Sequence, residues 1–295
     1  MRTRALLATG VLFALCGCVD LPEVARLHDL AEEARVTLPR VSDDLAGSCQ
    51  RRAALLKDVP ADQLPPDARA LRPDCQPFEA LATHLAADQG VLLDYLDALA
   101  KLGSGQTLTY GKTLDAGIET IDGLSAAPGA DADLAANAQK AGAAALSISK
   151  QLANLLTRRY RDRELAQLIT STDPAVQQLT KALTVVAVED YGIMLNSERL
   201  FLDAYYQGPM AAAGPNEKLA LILVQRQYNL DVLQLGRHRT AATRYARVMS
   251  RISTLHGELA TAAQQPSGLS HGLHHLSATL DDLRDAIGSL SAEVK

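Results

Sequence analysis

Three groups of side chains in this 295-residue chain have the types and spacing to do chemistry. The first is a set of imidazoles. His271, His274 and His275 fall within five residues, and His256 lies near the end of the preceding helical segment. Nitrogen ligands grouped this way suit zinc or copper. No carboxylate or cysteine joins them at ligand spacing, and no Glu-x-x-His pair of the di-iron type occurs in the chain. A solvated, histidine-rich helix end is the preferred reading, and no metal or other cofactor is expected.

The second group is basic. Arg158, Arg159, Arg161 and Arg163 cluster in one segment, and Arg237, Arg244, Arg247 and Arg251 form a stripe at helical spacing in another. Guanidinium groups arrayed like this fit an anionic surface, either lipid phosphate or an acidic partner. A solvated face with local partners such as Asp162 and Glu164 is the plainer alternative. The third group, Gly111-Lys112-Thr113, has the end of a phosphate-binding loop but not its spacing. The required glycine would stand at 106, which is Gln106, and no strand precedes it. No Gly-x-Ser-x-Gly sequence occurs either, so enzymatic activity is not expected.

The elements that position these residues read as helices throughout. The chain has no Trp and only three Phe, of which Phe13 lies in the opening stretch, so Leu, Ala, Ile and Val must form the core. That composition favours helix over sheet. Val24, Leu27, Ala31, Ala34, Leu38, Val41 and Leu45 step by three and four, with Pro39 expected to kink or split the helix. Pro60, Pro65, Pro66 and Pro73 mark a loop over 59–74. The next seam runs Phe78, Leu81, Leu85, Leu92, Tyr95, Leu99, Leu102, with Asp88 its one polar intrusion. Cys49 and Cys75 then sit where an antiparallel hairpin brings its ends together. A bridge between them is expected, the alternative being two free buried thiols.

Further along, a short helix is expected over 114–124. An Ala-rich segment at 131–146 leads into a helix running through Leu156 towards Ile169. Ser171-Thr172-Asp173-Pro174 has the form of a helix start, a capping residue followed by proline. Residues 208–215, Gly-Pro-Met-Ala-Ala-Ala-Gly-Pro, read as a break. A helix of roughly 70 Å should follow from Asn216 to Gln264, with its apolar line on Leu219, Leu223, Leu230, Leu233, Ala241 and Tyr245. After Pro266 and Gly268, Leu269, Leu273, Leu276, Leu280, Leu283, Ile287, Leu290 and Val294 give the most regular seam in the chain. The expected fold is all-α: an elongated antiparallel bundle of six or seven helices, several of them long. Within it the reading distinguishes residues 18–104 as an N-terminal hairpin, 105–208 as central helices and 209–295 as a C-terminal hairpin, together one continuous bundle.

The opening residues supply the address. Arg2 and Arg4 precede an apolar run of about ten residues, Ala5 to Ala14, too short to span a bilayer and of signal-peptide length. Leu15-Cys16-Gly17-Cys18 resembles the lipobox of bacterial lipoproteins. That resemblance implies cleavage after residue 17 and diacylglycerol on the Cys18 sulfur, with a further acyl chain such as palmitate on its amino group. An ordinary export signal with an incidental cysteine is the alternative. Val19, not Asp, follows the cysteine, which by the same resemblance implies the outer membrane, facing the periplasm; Asp20 next to it weighs the other way. Without Arg2 and Arg4, 27 of the 29 basic residues face 34 acidic ones, a balance unsuited to coating nucleic acid. Lys295 resembles the terminal lysine through which murein lipoproteins join peptidoglycan, but Ser291-Ala292-Glu293-Val294 lacks their basic motif.

An anchor, long seams and no catalytic motif together point to a lipid-anchored periplasmic scaffold or adaptor. It would be held by acyl chains in the membrane and act by contact with an envelope protein. The alternative is a carrier of lipid or a small apolar ligand, with a cavity in the bundle.

Overall fold

The computed structural model describes residues 21–58, 74–106, 132–156, 162–265 and 276–294, with backbone alone for 58, 154–156 and 162–164. The elements are α1 (Pro22–Ala25), α2 (Leu27–Thr37), α3 (Pro39–Asp58), α4 (Gln76–Gly103), α5 (Ala132–Leu156), α6 (Asp162–Val185), a π-helical turn (Val186–Asp190), α7 (Tyr191–Ala212), α8 (Lys218–Ala263) and α9 (Leu276–Glu293). Among the described residues there is no strand, and the fold is an all-α bundle.

The segments α1 to α3 form one interrupted rod. Pro39 has no N–H to bond the preceding turn, so α2 ends at Thr37 and α3 begins at Pro39. Leu38 keeps helical angles and its N–H still reaches Ala34, so the helix is split but not redirected. This rod lies antiparallel to α4. Leu21 N–H donates to Gly103 O at one end, and Cys49 is bonded to Cys75 at the other, with Cα atoms 5.7 Å apart. Close approach at the first end needs a glycine, since a Cβ on Gly103 would lie 2.9 Å from the Val24 side chain. Along α4, Leu81, Leu85, Leu92, Tyr95, Leu99 and Leu102 are buried as their spacing predicts.

Two helix boundaries depart from expectation. The helix does not start at Asp173-Pro174; α6 passes through Pro174 unbroken from Asp162. The hydroxyls of Thr170, Ser171 and Thr172 donate to carbonyls of the preceding turn, Ala166 and Leu168, instead of capping a new helix. Asp173 is likewise engaged elsewhere, accepting from Gln177 and His256. The second boundary is at the break over 208–215, which is shorter than its composition implies. Pro209 lies inside α7, which continues to Ala212, so α7 and α8 form a hairpin with a tight connection.

Packing is continuous through the described bundle. One apolar cluster runs from Leu21 to Leu290 and includes every described rod. On α5, Ala138, Ala141, Ala144 and Ala145 are buried, and this small-residue face packs on α4 and α6. On α9, Leu276, Leu280, Leu283, Ile287 and Leu290 are buried against α8 and α2. The proline-rich loop over 59–73, Gly111-Lys112-Thr113, the expected helix at 114–124, Leu269 and Leu273 lie outside the described residues. Among the described helices none is long and apolar enough to cross a membrane.

Among the described residues polar groups tie the rods together in several buried clusters, three of which bear on the site. Tyr95 Oη lies 2.7 Å from His256 Nε2 and 2.6 Å from Thr172 Oγ1, joining α4, α8 and α6. Gln89 donates to Ser42 and to Tyr245 Oη. Next to Gln89, Asp88 is 1% exposed, and neither of its oxygens has a hydrogen-bond partner among the described residues. Burial alone pushes its carboxyl up to about 8. The third cluster lies at the base of the α7–α8 hairpin and belongs to the site described next.

Candidate docking surface

The apolar line predicted for α8 divides in two. From Ala241 downward it is core: Ala241, Tyr245, Val248, Ile252, Leu255 and Leu259 are buried under α6 and α9. Above that point the same line is uncovered. Leu219, Ile222, Leu223, Leu230 and Leu233 are 71, 63, 57, 50 and 56% exposed. The apolar line read along this helix is therefore core over only part of its length. The reason is length: α8 has 46 residues and the α9 that covers it has 18. Arg244 bonds Ser289 O and Glu293, so α9 ends level with Arg244. Beyond it about 21 Å of apolar strip, from Leu219 to Leu233, has no covering helix among the described residues.

A single apolar residue on a surface is ordinary, whereas a run of five along one helix face is not. Its lower end opens into a groove of about 470 Å³ lined by Arg40, Asp44, Leu233, Arg237, His238 and Val294.

The strip is held rigidly. On the far side of α8 from it, Tyr228 donates to Asp203, Tyr206 donates to Asp231 and Arg199 donates to Tyr228, fastening α8 to α7. The hairpin is in turn bolted to α3. Arg51 donates to Asp44 at 2.7 Å and to Glu198 at 2.6 Å, and Ser48 donates to the second Glu198 oxygen at 2.7 Å. His238 reaches Asp44 at 2.7 Å, and Tyr191 also donates to Asp44. Burial raises the Asp44 carboxyl, but His238 and Arg51 outweigh it and hold the group below the usual carboxylate range. The same two carboxylates raise Arg51 against the opposing effect of its own burial.

The basic stripe does not act as one group. Arg244 pairs with Glu293 and Arg251 with Asp282, both on α9, while Arg237 and Arg247 are exposed with no ion pair among the described residues. Arg158, Arg159 and Arg161 lie outside the described residues, as does the side chain of Arg163.

His256 is not part of a solvated helix end. It is fully buried, with Nδ1 2.8 Å from Asp173 and Nε2 facing Tyr95 Oη. Nδ1–H donates to the carboxylate, and Nε2 lies within hydrogen-bond distance of the phenol, which also meets Thr172 Oγ1. Burial lowers the pKa of the imidazole against the opposing pull of Asp173, which favours this neutral form. Both ring nitrogens are engaged within the bundle. His271, His274 and His275 lie outside the described residues, as do Cys18 and Lys295.

Sequence reasoning located the apolar line and most of the stripe but missed what covers them. It also missed Arg226, which stands eleven residues before Arg237, three helical turns away on the same line. That spacing was available to find it. The Asp44–Arg51–Glu198 cluster had no such signal, because its members are contributed by helices far apart in the chain. Comparison with family models, curated proteins and solved structures finds no match for this chain.

Proposed function

We propose that the chain is a lipid-anchored helical scaffold of the cell envelope. It is tethered at Cys18, on the periplasmic face of the outer membrane, and works by protein contact through the uncovered strip of α8. The observation that carries this reading is the position of the strip. Arg26 of the first rod pairs with Asp281 of α9, which places Leu21 at the α9-start end of the bundle. The strip lies at the other end, roughly 35 to 55 Å along α8 from the level of Leu21. Cys18 is three residues before Leu21, so an anchor there leaves the bundle within about 10 Å of that end. A tether at Cys18 would lie towards the end of the described bundle opposite the strip, as a device that reaches away from a bilayer requires.

The Cys49–Cys75 bond fits an oxidising, exported setting. The carrier alternative would have to use the open groove of about 470 Å³ at the foot of the strip, since the pocket beside Gln89 and Tyr245 measures about 10 Å³, room for at most one water.

Growth with an alkyne analogue of palmitate tests the anchor. The wild-type chain should take up label and sediment with membranes, and Cys18→Ser should lose both properties. An unlabelled wild-type chain, or a variant that still sediments, would overturn the tether.

A further inference from the structure

We infer that the occupant of the α8 strip is an acidic amphipathic helix of a partner protein, seated as a continuation of α9. The inference rests on the contact reading above and names the chemistry of the partner.

The bundle contains its own precedent. Arg226, Arg237, Arg244 and Arg251 are separated by eleven, seven and seven residues, so all four fall on one line along α8. In the lower half α9 lies on that line, antiparallel to α8. It supplies Leu276, Leu280, Leu283, Ile287 and Leu290 to the apolar seam and carboxylates to the arginines, Asp282 to Arg251 and Glu293 to Arg244. The upper half repeats the same surface without its cover. Leu219, Ile222, Leu223, Leu230 and Leu233 continue the seam, and Arg226 and Arg237 continue the cations. Both arginines are exposed, and neither has an ion pair among the described residues.

Charge decides between occupants. Two copies meeting strip to strip through parallel α8 helices would set Arg226 against Arg226 and Arg237 against Arg237, and like charges so placed are unfavourable. The antiparallel pairing would send the two Leu21 ends, and hence the two tethers, in opposite directions. A helix with apolar residues at three- and four-residue steps and two carboxylates eleven residues apart satisfies both the seam and the cations. Within α9 itself, Asp282 and Glu293 have that separation, and there they pair with arginines seven residues apart, the long side chains making up the difference.

The test uses the purified full chain and a helix-stapled fluorescent peptide of the α9 sequence, Leu276–Glu293, read by anisotropy. A second peptide carries Asp282→Lys and Glu293→Lys. The first peptide should bind the wild-type chain. The variant Arg226→Glu/Arg237→Glu should bind it roughly tenfold or more weakly and should prefer the second peptide. Leu230→Glu should abolish binding of both peptides, which places the contact on the strip and not on the part of α8 that α9 already covers. All three positions are exposed, so an unchanged melting curve for each variant confirms that folding is not the cause.

Absence of peptide binding overturns the proposal, as does binding indifferent to charge reversal. It is also overturned by concentration-dependent dimerisation that Leu230→Glu abolishes and the peptide does not compete with. Uptake of the chain onto phosphatidylglycerol-containing vesicles through Arg226 and Arg237, without peptide binding, would do the same. Cross-links formed at the strip in cells alongside any of these results would leave the contact function standing and remove only the acidic helix.

Discussion

Arg244 on α8 and Glu293 on α9 form an ion pair at 2.9 Å, and this pair marks the height at which the bundle stops covering its longest helix. Below it the leucines of α8 are core; above it leucines on the same face are exposed. The difference lies in the partner, not in the residues.

Asp88 gives a pH signature. Its carboxyl is pushed up to about 8 by burial, so the folded chain keeps a proton that the unfolded chain has released above about pH 4. Stability from this group is complete below the unfolded pKa and is lost as pH rises towards 8, at no more than about 1.4 kcal/mol per pH unit. Asp88→Asn should flatten that decline. Urea unfolding of both proteins at pH 5, 6, 7 and 8 should show a gap in favour of the variant that widens with pH; parallel curves would contradict the assignment.

The Cys49–Cys75 bond closes a loop with a separation of 26 residues. In the chain-entropy model that closure stabilises the fold by about 3.5 kcal/mol. Denaturant midpoints with and without reductant should differ accordingly, and the Cys49→Ala/Cys75→Ala variant should match the reduced protein. Indistinguishable midpoints would mean that the unfolded chain is not constrained by the bond.

Arg51 joins Asp44 on α3 to Glu198 on α7. Arg51→Met removes the ion-pair partner of Glu198 and leaves Asp44 to His238 and Tyr191, and should cost about 3 kcal/mol. Glu198→Gln, which can still accept from Ser48, should cost less. Adding Glu198→Leu to Arg51→Met should recover part of the loss, since one stranded charge is removed. Additive effects in this double-mutant cycle would show that the two groups are not coupled.

Much of the fold could be read from periodicity, because a helix that buries one face must repeat its leucines at three and four residues. The seams of α4 and α9 and the Cys49–Cys75 hairpin were legible for that reason. What periodicity cannot say is what covers a face. Leu223 and Leu255 lie on the same side of the same helix, yet one is exposed and the other buried, since α9 reaches only as far as Arg244. Local signals failed where tertiary bonds outweighed them. Asp173-Pro174 has the chemistry of a helix start, but Asp173 is held by His256 and the neighbouring hydroxyls bond backward, so the helix continues. The hairpin-base cluster was illegible because Arg51 and Glu198 are 147 residues apart and each looks like an ordinary surface charge on its own helix.

The central claim, contact through the uncovered strip, is tested most directly by a photo-crosslinking amino acid placed in living cells at Leu223, Leu230 or Val36. Val36 is as exposed as the strip residues but lies on α2. The account predicts a discrete adduct of the same partner from Leu223 and Leu230 and none from Val36. No adduct from either strip position, or equal adducts from Val36, would contradict it.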